Sequence, residues 1–172
     1  DGARRQLPLK PQSVAAFHAG VMAALADLGI EVAIADMPNE IADPIRFPDD
    51  RQHASYDADA VQRFWRVLAS ADRVFRQFRT AFLGKCSPVH FFWGSFDLAV
   101  TRFSGRHAPP HPGGVPHLPD DVAREAYSHE VSSAGFWPGG GAIDYPAFYS
   151  YAYPAPDGFA SARVPPDAAF FN

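Results

Sequence analysis

The fold of this chain is most clearly indicated by residues 87–106, SPVHFFWGSFDLAVTRFSGR. The run from Val89 to Trp93 is apolar on both faces, which predicts a central strand. The pair Gly94-Ser95 then predicts a turn or bulge. A half-buried strand is predicted after it, because apolar residues alternate there with polar or small ones: Phe96, Leu98 and Val100 against Asp97, Ala99 and Thr101.

Two amphipathic helices are predicted before this stretch. The first covers Ser13 to Leu28 and ends at Gly29, since apolar residues recur there at steps of three and four. The second begins at Asp57, and its Phe-rich stripe favours a core-facing helix over a coiled coil. Its members are Val61, Phe64, Leu68, Ala71, Phe75, Phe78 and Phe82. The opposite side of this second helix is either a surface for an anion or acidic partner or a solvated face. It carries Arg63, Arg66, Arg73, Arg76 and Arg79.

Shorter elements complete the predicted domain. Ile30–Ala35 is predicted to be a strand, Pro119 to begin a short helix, and residues 36–56 and 104–119 to be loops. Two further extended segments, Glu130–Trp137 and Phe148–Tyr153, follow, and in the second Tyr149, Tyr151 and Tyr153 share one face. Helices that precede a run of strands predict an α+β fold. We therefore expect a mostly antiparallel sheet packed against two amphipathic helices in one domain, residues 1–172.

The composition excludes several classes of protein. The chain has 172 residues, of which 47% are hydrophobic, and a net charge of −4, which argues against disorder and against binding nucleic acid through bulk charge. The lack of a long uncharged apolar stretch predicts no membrane span. Cys86 is the single cysteine and no secretory signal is visible, which predicts a cytoplasmic protein. The start at Asp1-Gly2 suggests the second half of a hairpin, and hence a chain trimmed at its ends.

The stretch at 87–106 closely resembles an uncharacterised bacterial family known only as domain of unknown function 5996. Other strings resemble it too: AYSHEVSSAGFWPG at 126–139, FYSYAYP at 148–154, Asp50-Arg51 with His53 and Tyr56-Asp57, and Arg63-Phe64-Trp65. The resemblance covers essentially the whole chain. It implies that the natural domain continues at both ends, but it implies no activity, cofactor or catalytic residue.

The polar residues among the aromatic strands predict a site for a small organic ligand, which could be anionic. An apolar cavity with a few converging polar groups is the usual form of such a site. The candidate acid–base groups are His90, His129, Asp97 and Glu130. The candidate ligand contacts, with the arginines as anion contacts, are Trp93, Arg102, Arg106, Trp137, Tyr149 and Tyr151.

Two alternatives remain open from the residues alone. The same polar groups could satisfy one another across the sheet and set its register, in a non-catalytic structural or protein-interaction domain. His90, His129 and Glu130 could instead hold a metal in an enzyme, although their spacing matches no metal motif. No cofactor, oligomeric state or reaction is indicated, and neither nucleic acid nor membrane is an expected partner.

Overall fold

The computed structural model describes residues 2–41 and 43–172 of the chain. Asp1, where the predicted hairpin segment begins, lies outside the described residues. The chain divides into two compact units, Asp1–Val67 with Gly114–Leu118 and Leu68–Gly113 with Pro119–Asn172. In chain order, the helices and strands are α1 (Val14–Asp27), α2 (Ala58–Thr80), β1 (His90–Phe92), β2 (Asp97–His107), α3 (Asp120–Ala126), β3 (His129–Trp137), β4 (Ala147–Tyr153) and a 3-10 turn (Phe159–Ser161).

Helix α1, in the first unit, has the boundaries that the sequence predicts. The Ser13 hydroxyl caps it by accepting the N–H of Ala16 at 3.1 Å, and Gly29 follows its end with a φ of +72°. Two further N–H groups of its first turn, those of Val14 and Ala15, donate to backbone carbonyls in the segment 50–53. The first turn of α1 is therefore a fixed support for that segment.

The strand predicted at Ile30–Ala35 is wrong. These residues have no regular secondary structure, and Ile30, Val32 and Ile34 are each close to half exposed. Alternating β-branched residues form a strand only when a neighbouring strand accepts their hydrogen bonds and a core covers one face. Within residues 2–41 and 43–172, the ladders of the sheet are formed by residues 90–153 and do not include this segment.

Helix α2 begins after Asp57, whose Oδ1 accepts the N–H groups of Asp59 and Ala60. It ends at Thr80, two residues before the last member of the predicted stripe. In the second unit the stripe does face the core, because Phe75 is buried and its ring meets that of Phe148 edge-on at 6.1 Å.

The sheet is four-stranded and antiparallel throughout, in the order β1-β2-β3-β4. Residues paired across it project to the same side, so His90, Ala99, Gly135 and Tyr149 share one face. We call this the tyrosine face, and the side that carries Phe148 and meets α2 the helix face. The predicted α+β class with an antiparallel sheet is confirmed.

Two details of the strand prediction are wrong. Residues 89–93 do not form a central strand, because β1 has three residues and lies at the edge of the sheet. The two inner strands are β2 and β3. Strand β2 is buried on both faces from Asp97 to Val100 and continues to His107 into the predicted loop. The run at 89–93 is apolar although it ends in exposed aromatic side chains, so its composition imitates that of a buried strand.

Candidate functional site

Asp97 lies at the start of β2 on the tyrosine face and is 7% exposed. Its Oδ1 accepts the hydroxyl of Ser95 at 2.5 Å, and its Oδ2 accepts the hydroxyl of Tyr149 from β4. The Tyr149 ring crosses β3 above Gly135, where any Cβ would overlap it. Burial, and then the bond to Asp97, raise the pKa of Tyr149 well above its usual value. Asp97 is thus held between a serine and a protonated tyrosine.

The other aromatic residues of the tyrosine face contact one another. The rings of Tyr149 and Tyr151 are stacked at 6.2 Å, and the hydroxyls of Tyr151 and Tyr127 are 3.0 Å apart. His111 stacks on Tyr127 at 4.7 Å and lies 5.3 Å from the Tyr153 ring. These side chains form a packed layer on the sheet, including at the place where the sequence predicts that Tyr149 and Tyr151 line a pocket.

Glu130 and Arg106 form an ion pair between β3 and β2. Glu130 Oε2 accepts Arg106 Nε at 2.8 Å and Nη2 at 2.6 Å, and it also accepts the hydroxyl of Ser104 at 2.8 Å. The bonds from Arg106 and then Ser104 hold the pKa of Glu130 below its usual value. A carboxylate that stays ionised and paired fixes the register of two strands, and it is poorly suited to proton transfer near neutral pH.

Arg102 projects from β2 onto the helix face. Its Cζ lies 3.4 Å from the centre of the Phe78 ring and 5.4 Å from that of Phe82, and Nη2 donates to the backbone oxygen of Phe78. The side chain therefore stacks on aromatic rings and binds a carbonyl in the last turns of α2. Arg102 thus lies on the opposite side of the sheet from Tyr149 and Tyr151, with which the sequence groups it as an anion contact.

His90 and His129 lie far apart on the tyrosine face. His90 pairs with Ala99 and Ala99 with Gly135, whereas His129 begins β3 at the other end. At roughly 3.3 Å per residue, the separation along the strands is about 20 Å. The two histidines therefore do not share a site, and Glu130 points to the other face. Within the described part of the chain, no three His, Cys, Asp or Glu side chains form a metal-binding group.

The immediate neighbours of these two histidines are not carboxylates. The ring of His90 meets Phe92 edge-on at 4.4 Å. The ring of His129 lies 4.4 Å from that of His107, and its Nδ1 is 3.1 Å from the hydroxyl of Ser128. Among residues 2–41 and 43–172, neither imidazole has the carboxylate partner that usually orients a histidine for catalysis or metal binding.

The ring of Trp137 is held by a hydrogen bond to the backbone, and a groove near the C-terminus lies outside the predicted pocket. The indole N–H of Trp137 donates to the backbone oxygen of Ile143 at 2.9 Å, which fixes that ring. An open groove of about 420 Å³ is lined by residues 155–161 and Phe171. It lies outside the strands at 89–103 and 130–153, in which the pocket is predicted.

The turn between β1 and β2 carries three large exposed rings. Trp93 is 85% exposed, and Phe92 and Phe96 are each about half exposed. We call these three residues the aromatic hairpin end. The N–H of Phe96 donates to the oxygen of Phe92 at 2.8 Å, and Phe96 has a φ of +66°, a conformation that favours glycine. The backbone of the turn is therefore closed and held in a costly conformation.

A carboxylate–imidazole pair that the sequence analysis missed lies in the first unit. Asp50 is 6% exposed, and its Oδ2 lies 2.7 Å from Nδ1 of His53, whose side chain is 72% exposed. Asp50 Oδ1 accepts the N–H groups of Gln52 and His53 at 3.0 Å each. The bond from the N–H of His53 first, and then those from the His53 ring and the N–H of Gln52, lower the pKa of Asp50. The Asp-x-x-His spacing was the available signal, and it is too short to be diagnostic alone.

Among the described residues, no helix is both long and apolar enough to cross a membrane.

The comparisons with other proteins agree with the resemblance of residues 87–106, 126–139 and 148–154 to the family. No curated protein and no solved structure matches the sequence. The model of one family, described as "Family of unknown function (DUF5996)", matches residues 1–172. Because that match covers the whole sequence, the chain belongs to the family of unknown function DUF5996.

Proposed function

We propose that this chain is a protein-interaction domain that binds a partner polypeptide through the aromatic hairpin end. The observation that carries the proposal is the 85% exposure of Trp93, between two half-exposed phenylalanines on one turn. Large exposed apolar groups are costly in water unless a partner covers them, and tryptophan is enriched among the residues that dominate binding energy. A partner with an apolar pocket matches this surface.

The turn is also held rigidly, which favours recognition. Ser95 and Asp97 anchor one side of it by a hydrogen bond of 2.5 Å, and the hydroxyl of Tyr149 holds Asp97 from across the sheet. A preorganised surface loses little conformational entropy on binding. The left-handed Phe96 supports the same interpretation, because strained residues persist mainly where the surroundings fix them and are frequent at binding sites.

The polar residues of the sheet favour an interaction domain over a small-ligand enzyme. Asp97 is occupied by Ser95 and Tyr149, and Glu130 by Arg106. The contacts of Asp97 with Tyr149 and of Glu130 with Arg106 join different strands, as the register-setting pairs of a structural domain do. The predicted small organic ligand remains the rival.

The test is a comparison of two tryptophan variants of the whole chain. An extract of the source cells is passed over three immobilised proteins: wild type, Trp93→Ala and Trp65→Ala. A protein that wild type retains is then purified and titrated calorimetrically against each of the three. Trp65, which is 64% exposed on α2, is the matched control. We expect Trp93→Ala to weaken binding about thirtyfold, the factor that corresponds to a hot spot of about 2 kcal/mol, and Trp65→Ala to change it less than about twofold.

Three results would overturn this proposal. The first is equal affinity of wild type and Trp93→Ala for the purified partner. The second is retention that depends on Trp65 and not on Trp93. The third is binding of the chain to phosphatidylcholine vesicles through Trp93 with no protein retained, which would assign the rings to a lipid surface. The circular dichroism spectrum of Trp93→Ala should equal that of wild type, because an exposed ring contributes little to folding.

A further inference from the structure

Asp50 and His53 lie in the first unit, apart in sequence and role from the proposed interaction surface. The carboxylate of Asp50 is buried, whereas the imidazole of His53 is mostly exposed. This arrangement leaves one ring nitrogen engaged and the other facing solvent.

The proton on His53 is placed by its partner. A carboxylate can only accept, so in the neutral ring Nδ1 carries the hydrogen that Asp50 Oδ2 receives at 2.7 Å. The unshared electron pair therefore lies on Nε2, on the exposed side of the ring. The same arrangement orients histidines that act as bases, nucleophiles or metal ligands in many proteins.

The support beneath this pair is fixed by the backbone. Asp50 Oδ1 receives two N–H groups, and the carbonyls of Asp50 and His53 accept the N–H groups of Ala15 and Val14 at 2.8 and 3.0 Å. The carboxylate thus has a single orientation, anchored to the first turn of α1. Reacting groups held in one geometry are the ones that gain most from proximity.

We propose that Asp50 and His53 form a nucleophilic site for acyl transfer, with His53 as the nucleophile and an activated ester as the class of substrate. Asp50 is a positioning residue, which selects the tautomer and balances the charge that develops on the ring. An exposed Nε2 is open to a planar acyl carbon at the protein surface. This activity is independent of the proposed binding of a partner protein.

The reaction has two steps. Nε2 forms a bond to the acyl carbon while the bond from that carbon to the ester oxygen breaks, and the leaving group departs with the electron pair. The acyl-imidazolium keeps its Nδ1 proton, and its positive charge faces the Asp50 carboxylate. Water then attacks the acyl carbon and the C–N bond breaks, which releases the carboxylic acid and restores the neutral ring; the proton that the water gives up goes to the leaving-group anion or to solvent. No oxidant or reductant is required.

Diethyl pyrocarbonate tests the reactivity of Nε2, because it acylates neutral imidazole and leaves an adduct that peptide mass spectrometry locates. His90, which is exposed and meets Phe92 rather than a carboxylate, is the control within the same molecule. At a pH at which imidazoles are neutral, we expect His53 to be modified at least about tenfold faster than His90. With p-nitrophenyl acetate as a second probe, His53→Asn should lose the ester hydrolysis that wild type shows.

The variant Asp50→Asn separates positioning from folding. Its amide oxygen can keep the two backbone bonds, while its NH₂ group donates to Nδ1 and so moves the ring proton to Nε2. We expect the modification of His53 to fall to the rate of His90, whose own rate stays unchanged in the folded variant. Nitrogen-15 shifts should show His53 protonated at Nδ1 in wild type and at Nε2 in the variant.

Several outcomes would overturn the proposal. One is equal modification of His53 and His90 in wild type. Another is wild-type His53 protonated at Nε2, a measurement that needs no variant and therefore holds even if Asp50→Asn fails to fold. A third is hydrolysis of p-nitrophenyl acetate that survives His53→Asn undiminished.

Discussion

The substitution Gly135→Ala tests how the tyrosine face is built. The added Cβ would overlap Cζ and the hydroxyl oxygen of Tyr149, whose ring crosses β3 at this point. Because both atoms belong to a rigid phenol group that lies over the backbone, the ring must rotate away. The hydroxyl then leaves Asp97, which keeps only its bond to Ser95.

The expected loss of stability is about 3 kcal/mol. A hydrogen bond to a charged group contributes about 1.5–3 kcal/mol, and overpacking a close contact costs about 1–3 kcal/mol. Replacing glycine in a strand recovers about 0.5–1 kcal/mol, because alanine loses less backbone entropy on folding. The net effect is a sizeable part of the 5–15 kcal/mol that typically separates folded from unfolded domains.

Urea unfolding followed by circular dichroism measures this loss, in a double-mutant cycle with Tyr149→Phe. We expect Tyr149→Phe alone to cost about 1.5–3 kcal/mol, and to add less than about 0.5 kcal/mol when Gly135→Ala is already present, since the ring has moved. Gly20→Ala is the control, because its Cβ would meet only Leu7 Cδ2 at 3.2 Å. The reasoning fails if Gly135→Ala is as stable as wild type, or if the two costs simply add.

Three further predictions concern charge. The pKa of Tyr149 is raised in the folded protein, so the stability that this hydroxyl contributes is present below about pH 10 and is lost as the pH rises further. Tyrosinate absorbance should show Tyr149 ionising only when the protein unfolds. Ionisation of Tyr149 before unfolding would contradict this. The pKa of Glu130 is lowered by Arg106, so the stability that this carboxylate contributes is present above about pH 4.3 and is lost as the pH falls. The free energy of unfolding of Arg106→Met should therefore fall less between neutral and acid pH than that of wild type. An unchanged pH dependence would refute the pairing. Arg102→Lys should cost about 1 kcal/mol in urea unfolding by losing the planar stack on Phe78, and a neutral result would contradict that contact.

The regular elements of this fold could largely be predicted from local signals. Ser13, Asp57 and Gly29 mark helix ends by their capping chemistry, which depends on a few neighbouring residues. The separation of tyrosines from Phe148 on β4 follows from the two-residue period of a strand. Such features require no knowledge of distant segments.

The errors arose where distant segments decide the outcome. The apolar run at 89–93 looks like a buried strand, and only the sheet order shows that it lies at an edge. His90 and His129 were predicted to share one site, because the register of strand pairing cannot be predicted from composition. The pairing of Asp50 with His53 was not predicted, since the burial of one and the exposure of the other depend on how the segment meets α1.

Photo-crosslinking in the source cells tests the proposed interaction surface most directly. A benzophenone amino acid replaces Trp93 in one protein and Trp65 in another, both exposed positions of the full chain. If the aromatic hairpin end binds a partner polypeptide, irradiation should join the position-93 protein to one discrete protein and the position-65 protein to none. Absence of a product at position 93, or the same products from both positions, would contradict the account.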